Sequence, residues 1–214
     1  MRQSVFTLGK GMLTDPRAVC PDKRGLMIAS AFTVAFEGLE PRPVEVQCAV
    51  SPGLPAFSIV GLPNKAVSEA RDRIRAALSA MSIALPSKRI TINLAPADLP
   101  KEGSHFDLPI ALALLAALDV LPADNVAETL ALGEIALDGA LQPVVGALPA
   151  ALAAAEQERH LLCPFASGAE AAWVADARVL AARSLADVVR HFTGQAPCPK
   201  RVPAKSRTTR RPET

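Results

Sequence analysis

Residues 88–118 read KRITINLAPADLPKEGSHFDLPIALALLAAL, and this stretch decides the fold class. Arg89 to Leu94 alternates apolar and polar side chains, the period of a half-buried strand. Asp107 to Leu118 is apolar nearly all round, so it reads as a helix covered on every side. Asp107 is placed to cap that helix, and Pro109 falls in its first turn, where the missing N–H costs nothing. A polar, glycine-containing loop joins the two. A strand that leads through such a loop into a buried helix belongs to an α/β fold or an α+β sandwich.

The alternation continues outward from this stretch. Upstream, Ala31 to Phe36, Val44 to Val50 and Phe57 to Val60 are β-rich runs bounded by Gly and Pro. A helix follows with Pro63 in its first turn and with Val67, Ala70, Ile74, Leu78 and Met81 on one apolar stripe. Its other side carries Arg71 and Arg75 with Lys65 and Ser68. Downstream, Leu130 to Leu137 and Ala140 to Val145 read as a hairpin about Asp138-Gly139, a pair suited to a tight turn with positive φ. A helix over Leu148 to Glu156, strands over His160 to Cys163 and Val179 to Ala182, and a last helix from a Ser184 cap to Phe192 complete the pattern. The predicted order is β-β-β-α-β-α-ββ-α-β-α-β-α, with the next-to-last helix placed only between the strands that flank it.

The composition bounds the function. The chain has 214 residues, half of them hydrophobic, enough for one core and too many for a disordered protein. With one Trp, no Tyr and 4% aromatics, platforms that stack single-stranded bases are poorly supplied. Cys20, Cys48, Cys163 and Cys198 include no CxxC pair, which excludes a zinc ribbon. The longest uninterrupted apolar run, Leu108 to Leu118, is too short to span a bilayer, and no signal-peptide pattern opens the chain. A soluble, cytoplasmic protein without a membrane partner is expected. The net charge of +2 hides a division: residues 1–26 hold five basic and two acidic residues, 27–196 twelve and eighteen, and 197–214 six and one. The chain therefore reads as an irregular extension over 1–26, a domain over 27–195 and a disordered basic tail over 196–214, with Met27 as an alternative start.

Tests for chemistry are mostly negative. No GxxxxGK stretch and no GxGxxG occurs, so a phosphate-cradling loop is absent. His105, His160 and His191 lack the partners at ligand spacing that a metal site needs. The loop Leu94 to Asp107 gathers Asp98, Lys101, Glu102, Ser104, His105 and Asp107, but adjacent Ser, His and Asp residues cannot form a relay. A capped βα loop accounts for them.

Three runs carry a resemblance: SPGLPAFSIVGLPNKAVSEARDRIRAAL (51–78), KRITINLAPADLPKEGSHFDLPIALALLAAL (88–118) and LGEIALDGALQPVVGALP (132–149). Residues 27–195 resemble the N-terminal domain of the ComM/YifB family of bacterial Mg-chelatase-like AAA+ ATPases. The resemblance implies a ribosomal-S5-domain-2-like fold shared with the proteolytic domain of Lon. It also implies an AAA+ module beyond this domain, holding ATP and Mg2+, and a role as a hexameric helicase in DNA branch migration during natural transformation. The chain stops about where that module would begin and reads as a truncated member, so no cofactor is expected in it. Lon-type peptidases pair a Ser in a PKDGPSAG-like loop with a Lys base. Here Pro100-Lys101-Glu102-Gly103 matches the start of that loop, but His105 stands at the nucleophile's place and Ser104 one place early. Leu148 or Pro149 stands where the base would be, and no Lys occurs between 102 and 199. The resemblance thus implies the fold without the protease chemistry.

Three functions follow as expectations: a non-catalytic Lon-like accessory domain, a Ser hydrolase using Ser104, or a stand-alone basic-tailed nucleic-acid binder. Lys65, Arg71, Arg73, Arg75, Lys88, Arg89 and Lys101 crowd one stretch of the domain. The candidate DNA contacts are Arg71, Arg75, Lys88 and Arg89 with Lys200, Arg201, Arg210 and Arg211 of the tail. Catalytic, cofactor and metal residues are expected to be absent, and DNA, a second copy or a separate AAA+ module are the expected partners.

Overall fold

A computed structural model describes residues 26–200. Residues 1–25, and Arg201, Arg210 and Arg211 with the rest of 201–214, lie outside the described residues. The main sheet has seven strands: β1 (Met27–Glu37), β2 (Glu40–Ser51), β3 (Ala56–Val60), β4 (Arg89–Ala95), β5 (Thr129–Ala131), β8 (His160–Pro164) and β9 (Arg178–Ala182). Their order is β3-β4-β2-β1-β5-β8-β9, parallel throughout except at β2, which runs antiparallel to β1 and β4. The helices are α1 (Lys65–Ala80), α2 (Asp107–Ala117), α3 (Ala123–Ala127), α4 (Ala147–Glu156), α5 (Gly168–Ala171) and α6 (Leu185–Phe192). The architecture is α/β.

Strand alternation divides the core. On β2, Val44, Val46, Cys48 and Val50 face one side, and Ile90, Ile92 and Leu94 of β4 join them under α1 and α2. The same layer extends through α3 and α6, which contribute Val126, Leu185, Val188 and Phe192. All eleven residues of α2 are buried, as a helix without a polar side requires. The other face is covered only over part of its width. There Leu130, Leu132, Leu161, Cys163 and Val179 meet the alanines of α4 and α5. Over β3, β4 and the adjoining part of β2 that face meets solvent, and polar pairs replace apolar ones: Asn93 Nδ2 donates to Gln47 Oε1 at 2.9 Å, and Ser30 Oγ to Glu45 Oε1 at 2.7 Å.

Three sequence expectations need correction. Leu130 to Leu137 is not one hairpin strand. β5 stays in the main sheet, and the chain leaves it at Gly133, whose N–H donates to the His105 carbonyl and whose carbonyl accepts from the Leu108 N–H, both at 2.9 Å. Only then does the two-residue ladder of β6 (Glu134–Ile135) and β7 (Leu141–Gln142) form about Asp138-Gly139. Pro63 lies outside α1: Asn64 is the cap, its side chain accepting from the Val67 N–H at 3.0 Å, because Pro63 is held in a bridge to Lys101. The tail does not begin at 196. Cys198 is buried, the Pro199 carbonyl accepts from the Ala181 N–H at 3.3 Å, and Lys200 bridges Leu180, so these residues serve the edge strand β9. Helix α3 has too short a periodic pattern to be read from sequence.

Gly61, at φ +100°, turns the chain from β3 toward α1, and a Cβ there would stand 2.1 Å from the Leu94 carbonyl oxygen. Backbone of the central sheet cannot yield as a side chain does. Gly61→Ala should therefore destabilise the domain by about 3 kcal/mol or more, read from the shift in its urea unfolding midpoint.

Candidate functional site

The loop between β4 and α2 places its polar side chains by separate local rules. Lys101 is held from both sides by backbone: its N–H donates to the Leu62 carbonyl at 3.2 Å, and its carbonyl accepts from the Asn64 N–H at 3.0 Å. The side chain is consequently turned inward and fully buried, with Nζ donating to the Pro96 carbonyl. Burial pushes the ammonium below its ordinary range, against the opposing pull of Asp98. Lys101 is not part of a solvent-facing basic cluster.

Ser104 opens a 3₁₀ turn, Ser104–Phe106, that runs directly into α2. Its hydroxyl donates to the Glu134 carboxylate at the start of β6. His105 points the other way, buried between Phe36 and Phe106, with ring centroids 5.3 and 4.4 Å away. Its Nε2 lies 2.9 Å from the Val34 carbonyl, which can only accept, so Nε2 carries the proton. Burial lowers the His105 imidazole below its ordinary value, and it is neutral at pH 7.

Asp107 is not the cap that the sequence predicts. Phe106 holds the cap position of α2 without a side-chain bond, and the Asp107 carboxylate reaches sideways. It accepts from Arg73 Nε at 2.6 Å and from the second guanidinium nitrogen at 2.8 Å, and Oδ2 also accepts from the Ile135 N–H at 3.1 Å. The side chain is fully buried, while that of Arg73 is 20% exposed. Burial raises the Asp107 carboxyl against the opposing pull of Arg73 and of Ile135. One carboxylate thus joins α1, α2 and the β6–β7 hairpin. Arg73 is withdrawn from solvent as Lys101 is.

The remaining basic candidates are dispersed. Arg71 and Arg75 are exposed on the outer side of α1, and Arg71 pairs with Asp72 at 3.1 Å. Lys88 is half-buried ahead of β4. Arg89 shares its side of β4 with Thr91 and Asn93, opposite Ile90 and Ile92, so it faces away from α1. Lys200 lies beyond β9, six strand spacings from β4, or about 29 Å. The three described candidates outside α1 and the two on it do not form one patch, because strand alternation and strand order separate them. Among the described residues no group of three His, Cys, Asp or Glu side chains gathers as a metal site. Among the described residues of this region, α1 is the helix with a side-chain cap; it begins after Leu62-Pro63-Asn64, which is not a glycine-rich cradle of the kind that the Mg2+–nucleotide implied by the resemblance would need.

The family model for subunit ChlI of Mg-chelatase matches residues 44–167. The chain belongs to the ChlI family. The matched span runs from β2 to the threshold of α5, so the Arg73–Asp107 pair and the Ser104–Glu134 bond are parts of a ChlI-type domain. Within the family the relatives are of the ComM/YifB group. Competence protein ComM of Haemophilus influenzae is 43% identical over 174 residues, covering 81% of this chain and 34% of that protein. YifB of Salmonella typhimurium is 45% identical over 145 residues, 68% of this chain and 29% of its own length. YifB of Escherichia coli is 46% identical over 137 residues, 64% and 27%. The chain thus spans about a third or less of the length of these relatives.

Two measurements test the geometry of this ChlI-type site. A cap contributes roughly 0.5–2 kcal/mol, whereas breaking a buried ion pair costs about 3–5 kcal/mol. Asp107→Ala should fall in the larger range by chemical denaturation, and Arg73→Met with Asp107→Leu should recover part of the loss.

His105 sets a pH dependence. Its folded pKa lies below the unfolded value of about 6.5, so the unfolded chain takes up a proton that the folded chain refuses. The stability is fully present above about pH 6.5 and declines as pH falls below it. Between pH 6.5 and 5, the slope of unfolding free energy against pH should be smaller in His105→Gln than in the natural chain.

Proposed function

We propose that this domain is a non-catalytic, Lon-protease-like accessory domain of a ComM/YifB-type protein. In this reading it works in the cytoplasm beside an AAA+ module that supplies the ATP and Mg2+ chemistry, and the assembly drives DNA branch migration during natural transformation. The observation that supports it best is the engagement of Ser104. Peptide hydrolysis needs a base that takes the Ser proton at about 2.6–3.2 Å and then returns it to the leaving amine. The Ser104 hydroxyl is given to the Glu134 carboxylate, without the imidazole or amine that performs this relay. Lys101 spends its ammonium on the Pro96 carbonyl. The position that the Lon resemblance assigns to the base falls at the start of α4, on Leu148 or Pro149, neither of which titrates. Among the described residues no helix is long and apolar enough to cross a membrane.

A fluorophosphonate probe should label neither the natural chain nor Ser104→Ala above background. That substitution should lower stability by about 1–3 kcal/mol, the net worth of one hydrogen bond to a carboxylate at a half-buried position. Labelling that disappears in Ser104→Ala would refute the accessory reading and restore the hydrolase.

DNA contact in this reading is electrostatic and unspecific. Arg71 and Arg75 are solvent-facing, and residues 201–214 add five basic side chains against Glu213. Binding to duplex DNA should be weak and should fall steeply with salt, since each neutralised phosphate releases counterion. Deleting 201–214 should lower the affinity at low salt by roughly tenfold or more, whereas Arg89→Gln, on the other face of the sheet, should change it little.

A further inference from the structure

The two edges of the seven-stranded sheet are finished differently. At β9 the chain's own residues cover the edge: the Pro199 carbonyl accepts from the Ala181 N–H, and Lys200 bridges Leu180. Among the described residues no strand lies beyond β3. That strand, Ala-Phe-Ser-Ile-Val, carries none of the usual guards of an edge: no charge, no proline and no bulge. Backbone groups of successive strand residues point to opposite sides. The Ala56 N–H donates to the Lys88 carbonyl, so Ala56, Ser58 and Val60 direct their groups to β4, and those of Phe57 and Ile59 point outward. Two donors and two acceptors thus stand in the spacing that a further strand reads. Apolar side chains flank them, with Val60 46% exposed on the open face of the sheet and Leu62 57% exposed just past its end.

The charges around this edge are unequal. Arg73 reaches from α1 to Asp107 at the start of α2. Residues two positions away stand about 200° round a helix, so Arg71 and Arg75 point away from α2. Because α1 packs on β3 while α2 packs on β1 and β2, that direction is toward the β3 edge. Lys88 and Arg89 stand beside Ala56 at the start of β4. Arg71 pairs with Asp72, but among the described residues Arg75, Lys88 and Arg89 pair with no carboxylate. The acids nearby lie elsewhere: Glu69 is turned to Lys65 and Arg73, and Asp98 and Glu102 belong to the loop beyond the Val60 end.

We propose that β3 receives an extended segment of another polypeptide as an eighth strand, one in which acidic and apolar side chains alternate. Opposite Phe57 and Ile59 its side chains fall on the α1 side, where carboxylates meet Arg71 and Arg75. The alternate side chains fall on the open face beside Val60, where apolar groups fit. A second copy does not suit this edge, because its own Arg71 and Arg75 would be brought against these. The chain's ends do not suit it either: residues 1–25 hold five basic and two acidic residues, and 201–214 five and one. A nucleic-acid backbone would satisfy the arginines, but phosphate has no hydrogen to give to the outward carbonyls of Phe57 and Ile59.

The test uses the full chain and fluorescein-labelled peptides of about eight residues, followed by anisotropy at roughly 50 mM salt. One peptide alternates Glu and Val, a second Lys and Val. Two more are the Glu–Val peptide N-methylated on every Glu or on every Val, so that one of them blocks the edge turned to β3 and the other blocks the edge turned to water. The Glu–Val peptide should bind saturably below about 500 µM, and the Lys–Val peptide at least roughly tenfold more weakly. One methylated peptide should lose roughly tenfold or more and the other should bind as the parent does. Arg75→Glu should weaken the Glu–Val peptide by roughly tenfold, while Arg178→Glu, the same charge change at the exposed start of β9, should leave it unchanged. Absence of saturable binding overturns the proposal. So does equal binding by the two methylated peptides, which would mean attraction of charge without strand addition, or equal loss in Arg75→Glu and Arg178→Glu. Duplex DNA that binds in an Arg75-dependent way where the Glu–Val peptide does not would assign the edge to nucleic acid and overturn it as well.

Discussion

The bidentate pair between Arg73 and Asp107 is the constraint on which the rest of the domain depends. Helix α2 is apolar on every side, and burial of apolar surface has no direction of its own. Such a helix is held in the core without being told how far to slide or how to turn. A single carboxylate at its first residue supplies that instruction: it fixes α2 to α1 through the Arg73 guanidinium and to the hairpin through the Ile135 N–H. Burying the two charges gains little net stability over a well-packed apolar pair, but leaving either one alone is costly. The geometry is thereby specified more than it is strengthened.

The second determinant is the unequal covering of the sheet. One face lies beneath α1, α2, α3 and α6 across its width, while α4 and α5 cover the part built from β1, β5, β8 and β9 with a portion of β2. The strands respond in kind. Leu130, Leu132 and Leu161 lie under the second cover, and Gln47, Thr91 and Asn93 stand on the open part of the same face. This arrangement also separates the basic side chains. Arg71 and Arg75 belong to one outer surface and Arg89 to the opposite one, while Lys200 lies at the far edge. Their crowding along the chain does not become crowding in space.

The loop before α2 shows how polar residues can gather in sequence without forming a reaction centre. Lys101, Ser104, His105 and Asp107 fall within seven positions, yet each finds a different partner: the Pro96 carbonyl, Glu134, the Val34 carbonyl and Arg73. Each bond ties the loop to a different element. Together they hold the entry to α2 against β1, the hairpin and α1, a task that needs buried polar groups because backbone at a helix entry must be satisfied.

Much of this domain was legible in its sequence. The alternation of Arg89 to Leu94, the all-round apolarity of α2, the stripe of α1 and the Ser184 cap of α6 are local patterns, set by periodicity and by side chains that bond their own backbone. They sufficed for the α/β class and for most element positions. What tertiary structure alone decided was the partner of each polar side chain. Asp107 has the residue type and the position of a cap, and nothing local distinguishes a carboxylate that bonds its own helix from one claimed by an arginine 34 residues away. The run from Leu130 to Leu137 looks like one strand until the two backbone groups of Gly133 are taken by the loop beneath it. Lys101 looks like a surface lysine until both its backbone groups are bonded and its side chain has only the interior to enter. Sequence determines which groups must be buried or bonded; only the fold, by bringing distant segments within hydrogen-bond reach, determines to what.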